Sequence, residues 1–117
     1  MQNKYKWFHS ILFAWQELEY CKTVVLSVED ELGLRTIMDE LLAAAKAPEP
    51  ALCRASVLIL HAFCENTRVS YEEYLPQLFR VLIALFVRND QDVLLAAWEC
   101  LNAITKVTYK RWCRLAD

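Results

Sequence analysis

A single glycine, Gly33, and three prolines, Pro48, Pro50 and Pro76, serve the whole chain. An all-β protein needs many tight turns and spends more of both residues, so composition favours an all-helical fold. No Cys-x-x-Cys occurs among the five cysteines (Cys21, Cys53, Cys64, Cys100, Cys113), and their number is odd. Neither a disulfide framework nor a zinc ribbon fits that set. The longest strongly apolar run near the middle, Val81 to Val87, is far below the roughly 20 residues that span a bilayer. No strong charge of either sign is present: the net charge is −2, which sets up no global field for nucleic acid.

What the chain does have is apolar surface. Its 117 residues suit one domain, and 56% of them are hydrophobic, above the usual share of about 45–50%. Cys53, Cys64 and Cys100 lie within apolar stretches, where a free thiol acts as a small hydrophobe, and this points to a reducing compartment. Lys4 and Lys6 precede the apolar patch from Trp7 to Trp15, but His9 interrupts it and no small-residue cleavage site follows. The expectation is a soluble, cytoplasmic protein with no membrane contact. Charge is nevertheless uneven. Residues 28–50 carry six acids against Arg35 and Lys46, and residues 93–117 carry four bases against Glu99 and Asp117.

Periodicity gives the elements. Ser27 with Asp30 forms a capping pattern, and acids load the turn that follows. Gly33 weakens that turn and moves the expected start a few residues on. Leu34, Ile37, Met38, Leu41, Leu42 and Ala45 then recur at three- and four-residue steps, one face of a helix. That helix must stop near Lys46, because Pro48 and Pro50 forbid its continuation. A second helix from about Ala51 has the stripe Leu52, Ala55, Ser56, Ile59, Ala62 and Phe63, and ends in the polar patch Glu65 to Arg68. Ser70 with Glu73 predicts the next cap, and Leu75, Leu78, Phe79, Leu82, Ile83 and Phe86 mark the third helix, with Pro76 in its first turns. Asp92 predicts the fourth cap, followed by Val93, Leu94, Ala97, Cys100, Leu101 and Ile104.

The two helix pairs repeat. Leu34, Ile37, Met38, Leu41 and Leu42 align with Leu75, Leu78, Phe79, Leu82 and Ile83 at an offset of 41. Pro50, Leu52, Ala55 and Ile59 align with Asp92, Leu94, Ala97 and Leu101 at 42, so an extra residue is expected in the turn inside the second pair. Such a period built from two helices is the HEAT or armadillo signature. The predicted fold is therefore all-α: an α-α superhelix of the HEAT/armadillo solenoid type, with two repeats and a partial N-terminal helical unit. Residues 1–26 form a divergent helical segment (Trp7, Phe8, Ile11, Leu12, Trp15 and Leu18 on one face), 27–69 the first repeat, 70–106 the second, and 107–117 a basic-aromatic tail. Because stacked repeats shield their apolar sides on one another, a chain of this kind reads as a piece of a longer solenoid.

The wording is more specific than the period. VVLSVEDELGLRTIMDELLAAAKAPEPALCRASVLILHAFC and YLPQLFRVLIALFVRNDQDVLLAAWECLNAITK, about residues 24–106, resemble the general control non-derepressible translational activator family. Its members are very large HEAT-repeat proteins that bind ribosomes and activate the kinase of translation initiation factor 2 alpha. The lead-in Val24 to Asp30, Tyr74, and Trp98 to Lys106 carry the resemblance; residues 1–20 and 107–117 do not. The resemblance implies a non-enzymatic cytoplasmic scaffold in starvation and ribosome-collision signalling, with the ribosome and a translation-control kinase as partners and no cofactor. The family's kinase-docking surface lies outside the matched stretch, so no kinase-contact residue is carried over.

Among individual residues, Lys106, Tyr109, Lys110, Arg111, Trp112 and Arg114 mix cations with aromatics, the chemistry that holds RNA phosphates and stacked bases. The commoner reading of such a run is a solvated helix or tail. Trp98 and Asn102, four apart, form either an outward ridge or a packing pair. Lys106, Lys110, Arg111, Trp112, Arg114, Trp98 and Asn102 are thus the candidate partner or RNA contacts. His61 and Cys64 share a helix face, but no second ligand pair, orienting acid or oxyanion hole accompanies them, so neither a metal site nor a nucleophile is assigned. The carboxylates Glu29 to Glu31 and Glu72-Glu73 sit at helix starts, where capping explains them. Arg54, Arg68, Arg80 and Arg88 fall near helix ends, where side chains ladder with acids such as Asp92 between repeats. The expected function is binding by a scaffold, with no catalytic residue and no small-molecule substrate. Two alternatives stand beside it: an unrelated HEAT-repeat adaptor, such as a transport receptor or phosphatase subunit, and an RNA or ribosome binder acting through the basic tail.

Overall fold

In the computed structural model, residues 22–116 are described apart from Val24. Lys22, Thr23, Val25 and Leu26 are helical, and after them the described residues form α1 (Glu31–Ala45), α2 (Pro50–Asn66), α3 (Leu75–Ala84) and α4 (Gln91–Ala116), with no strand among them. Short 3-10 turns, Glu72–Tyr74 and Leu85–Val87, flank α3. The helical unit expected in residues 1–26 lies almost wholly outside the described residues.

Local chemistry sets the ends. Asp30, not Ser27, caps α1: the Gly33 amide donates to its Oδ1 at 2.7 Å. The helix closes on Lys46, whose amide donates to the Ala43 carbonyl, two residues short of Pro48. Pro50 starts α2, where its missing amide hydrogen costs least. Ser70 and Glu73 do not cap α3. The chain instead winds through the 3-10 turn at Glu72–Tyr74, and α3 starts at Leu75 with no side-chain cap. Asp90 rather than Asp92 caps α4, accepting from the Val93 amide at 3.1 Å. Asp92 sits one residue inside the helix, in its first turn.

With the flanking 3-10 turns included, both helix pairs obey one offset. Glu31 to Glu72 and Pro50 to Gln91 are each steps of 41 residues. The additional residue expected in the second turn is absent, and the alignment at 42 gives way to Leu52 with Val93, Ala55 with Ala96, and Ile59 with Cys100. Each of these pairs is buried at both ends. The same shift corrects the stripes. The inner face of α3 runs through Leu78, Val81, Leu82 and Leu85, leaving Ile83 exposed, and that of α4 through Val93, Ala96, Ala97, Cys100, Ala103 and Ile104, leaving Leu94 exposed.

α2 lies against both α1 and α4, whereas α1 and α3 barely meet. The pairs are therefore stacked rather than closed into a bundle. Small residues on the approaching sides, Ala55, Ser56, Ala96 and Ala97, let the inner helices come close, and one continuous apolar core runs from Val25 to Ile104. Between α1 and α3 a groove of about 620 Å³ remains, walled by Leu42, Val81 and Leu85 and edged by Asp39, Lys46 and Arg80.

Candidate interaction surface

The seam between the repeats is held by polar contacts made to backbone. Arg88, in the turn of the second repeat, donates from Nη1 to the Ala47 carbonyl at 2.7 Å and from Nη2 to the Pro48 carbonyl at 2.8 Å. Ala47 is the position equivalent to Arg88 one repeat earlier. The arginine thus reaches the turn it repeats, satisfying two carbonyls that the proline-broken helix leaves free. Carbonyls rather than an acidic ladder are its partners. At the other end of the seam the Tyr71 hydroxyl donates to the Cys64 carbonyl at 2.9 Å, and its ring lies 6.5 Å from Phe63. Burial pushes the Tyr71 hydroxyl well above its ordinary value, pushes the Cys64 thiol up to about 12, and raises the Cys100 thiol further. These groups stay neutral and unreactive at physiological pH.

His61 does not meet Cys64. Its Nε2 lies 3.2 Å from Glu65 Oε2 at the half-exposed surface, while Cys64 is buried in the core. Among the described residues no three His, Cys, Asp or Glu side chains gather in a way that could hold a metal, and no helix is long and apolar enough to cross a membrane.

α4 carries the candidate contacts. It runs unbroken from Gln91 to Ala116, so residues 107–116 continue the helix. Trp98, Asn102, Lys106, Lys110 and Arg114 recur at four-residue steps and all are exposed, which places them in one row along the helix. Tyr109, 69% exposed and three residues on from Lys106, borders that row, whereas Trp112, 71% exposed, lies two residues from both Lys110 and Arg114 and faces away from them. Arg111 turns to another side: its guanidinium lies 3.7 Å from Glu72 Oε1 and 5.6 Å from the centre of the Tyr71 ring. It fastens the end of α4 to the turn between the repeats. Of the seven candidates, five form a single ridge, Trp112 is exposed on another side of the helix, and Arg111 works in packing.

Three features escaped the sequence reading. Among the described residues Tyr71 is the largest fully buried side chain although it stands between two polar segments; its only signal was an aromatic beside Glu72-Glu73. Glu72 pairs with Arg111 at the far end of α4, and Phe86 lies 6.2 Å from Trp98, with no local pattern announcing either contact.

Residues 10–113 match the family described as stalled ribosome sensor GCN1-like, HEAT repeats. The match reaches well beyond residues 24–106, into both flanks. The stalled ribosome sensor GCN1 of Mus musculus and that of Homo sapiens are each 40% identical to this chain over 90 residues, 77% of it. The chain covers 3% of the length of each. No solved structure gives a significant match.

Proposed function

Given that the chain belongs to the GCN1-like family of HEAT-repeat proteins, we propose that it is a non-enzymatic binding module that associates with ribosomes in the cytoplasm. One observation carries this reading: the exposed row of Lys106, Lys110 and Arg114 on a helix held straight against the repeat. Cations spaced by about one helical turn sit some 6 Å apart, close to the spacing of successive phosphates along a nucleic-acid strand, and gain affinity by releasing counterions. Tyr109, exposed beside Lys106 and Lys110, offers a face on which an unpaired base stacks.

Co-sedimentation with purified ribosomes at increasing salt tests it. The chain pellets with ribosomes at low salt, and its apparent affinity falls as salt rises. Lys110→Glu with Arg114→Glu abolishes pelleting while helicity is unchanged. Replacing the same two by Gln lowers the logarithmic salt slope by about 2. Undiminished pelleting of the charge-reversed variant defeats the proposal. The family resemblance extends to service of the initiation factor 2 alpha kinase, to which no residue here is assigned. Recovery of that kinase together with ribosomes on the immobilised chain is the expected result, and it also separates this reading from an unrelated adaptor.

A further inference from the structure

A groove is left open inside the seam between the repeats. α1 and α3 stand apart while α2 and α4 close, and the space between α1 and α3, about 620 Å³, is of a size that takes a few side chains. Both walls belong to this chain, so the 41-residue step assigns no further helix pair to it. Each wall is one helix face: Asp39, Leu42, Ala43 and Lys46 on α1, and Arg80, Val81, Ala84 and Leu85 on α3. Leu42, Val81 and Leu85 make the floor, which is almost wholly buried. Ala43 and Ala84, equivalent positions and both exposed, make low shoulders above it.

The rim is charged, and its charges are unanswered. Lys46 on one wall and Arg80 on the other are exposed, and neither has an acidic partner among the described residues. Asp39 is the one acid in the lining, at the position that Arg80 repeats, yet the two make no ion pair across the groove. Arg88, the third cation, is held by the Ala47 and Pro48 carbonyls and closes the end of the groove where α1 and α3 both finish. The 41-residue step does not copy this rim. Asp39 becomes Arg80 and Lys46 becomes Val87, so the pattern belongs to this seam and is no general feature of the stack. Three cations against one acid favour an anionic occupant.

We infer that the groove between α1 and α3 binds an acidic amphipathic helix of a partner protein, with two leucine-sized anchors on the floor and acids directed at Lys46 and Arg80. A helix suits it better than an extended strand, because the floor is apolar side chain. An extended segment would bury its amides and carbonyls against Leu42, Val81 and Leu85 without partners, whereas a helix satisfies its own. Lying antiparallel to α1 and α3, the partner helix brings its first turn to Lys46, and acids are also favoured there by its own positive end. Arg80 stands level with Asp39, two turns before Lys46, so the partner's acids fall about seven residues apart with the anchors between them. The groove shares no residue with the row on α4, and the inference does not depend on ribosome binding.

Selection from a displayed library of helical peptides, randomised at the positions of one face, tests it. The library is selected on the immobilised full chain and counter-selected on the Ala84→Tyr chain, which fills the groove from an exposed position and leaves every other surface in place. Enriched peptides carry Asp or Glu at two positions about seven residues apart, with Leu or Met between them. A synthetic copy of an enriched peptide binds the chain saturably in fluorescence anisotropy. Lys46→Glu and Arg80→Glu each weaken that binding about tenfold. Replacing the facing acid of the peptide by Lys restores binding to the Lys46→Glu chain. Circular dichroism shows unchanged helicity for each variant; if Ala84→Tyr loses helicity, Ala43→Tyr on the opposite shoulder takes its place in the counter-selection. No enrichment over the filled-groove chain overturns the proposal, and so does enrichment of basic or uncharged peptides. Binding undiminished by both charge reversals puts the peptide elsewhere on the chain and overturns it as well.

Discussion

Arg88 is the residue on which the stacking of the two repeats most visibly turns. Its planar fork meets two carbonyls, Ala47 and Pro48, that no helix satisfies because Pro48 and Pro50 have ended one helix and begun another. The break and its repair come from opposite repeats, so the contact exists only in the stacked state. Arg88→Ala should lower stability by about 1–2 kcal/mol, since charge-assisted bonds are lost at a half-exposed site. Arg88→Lys should recover only part of this, because a point charge cannot serve two carbonyls in fixed directions. Urea unfolding midpoints of the three proteins check the order. That Arg88 had a structural duty was legible from its place in the turn; that its partners are carbonyls was not, because they lie about 40 residues away and no side-chain pattern marks them.

At the level of the helix, capping decides where α4 begins. Asp90 and Asp92 both suit the start of a helix, and composition alone does not separate them. The structure gives the cap to Asp90, because beginning there brings Val93, Ala96, Ala97 and Cys100 onto the face that meets α2. A start at Asp92 belongs with the register in which Leu94 packs inward. Asp90→Ala should cost about 1 kcal/mol through the loss of the amide partner. Asp92→Ala should cost about half that, since it forfeits only its favourable position near the positive helix end. Thermal unfolding of the two single variants at equal ionic strength measures the difference. The α3 stripe teaches the same lesson: Ile83 fits the apolar rhythm and is exposed, while Val81, outside the expected rhythm, is buried.

Considered as a whole, the molecule keeps its seam dry, and that has a consequence at high pH. Cys64, Cys100 and Tyr71 are buried together where the repeats meet, and burial raises all three above their ordinary values of 9.0, 9.0 and 10.0. Cys53 shifts in the same direction, again chiefly through burial. Each of these groups holds its proton longer in the folded chain than in the unfolded one. Their contribution to stability is complete below the unfolded-state values and is lost as pH rises from about 9 towards 12, because the unfolded state releases protons first. Stability should be level in this respect up to about pH 8 and then fall, each group adding a slope of up to about 1.4 kcal/mol per pH unit. Cys100→Val should flatten that fall, as urea midpoints between neutral and strongly alkaline pH under reducing conditions would reveal. Since all these groups lie at or beside one seam, both repeats should lose structure in a single transition rather than one after the other.

The helices themselves, their interruption at Pro48 and Pro50, and the recurrence of one pair after the other were determined by the sequence alone. These follow from rules that act within a few residues: backbone restriction at proline, side chains returning to one face every three or four positions, and the repetition of that rhythm at a fixed distance. The row of Trp98, Asn102, Lys106, Lys110 and Arg114 has the same origin, once the helix is known to continue past Lys106. Tertiary structure decided which members of each apolar rhythm became core, where Arg88, Tyr71 and Arg111 found their partners, and that α1 and α3 stand apart while α2 and α4 close. Those outcomes depend on the distance between helices that are remote in the chain, and an apolar side chain is buried only where another helix arrives to cover it.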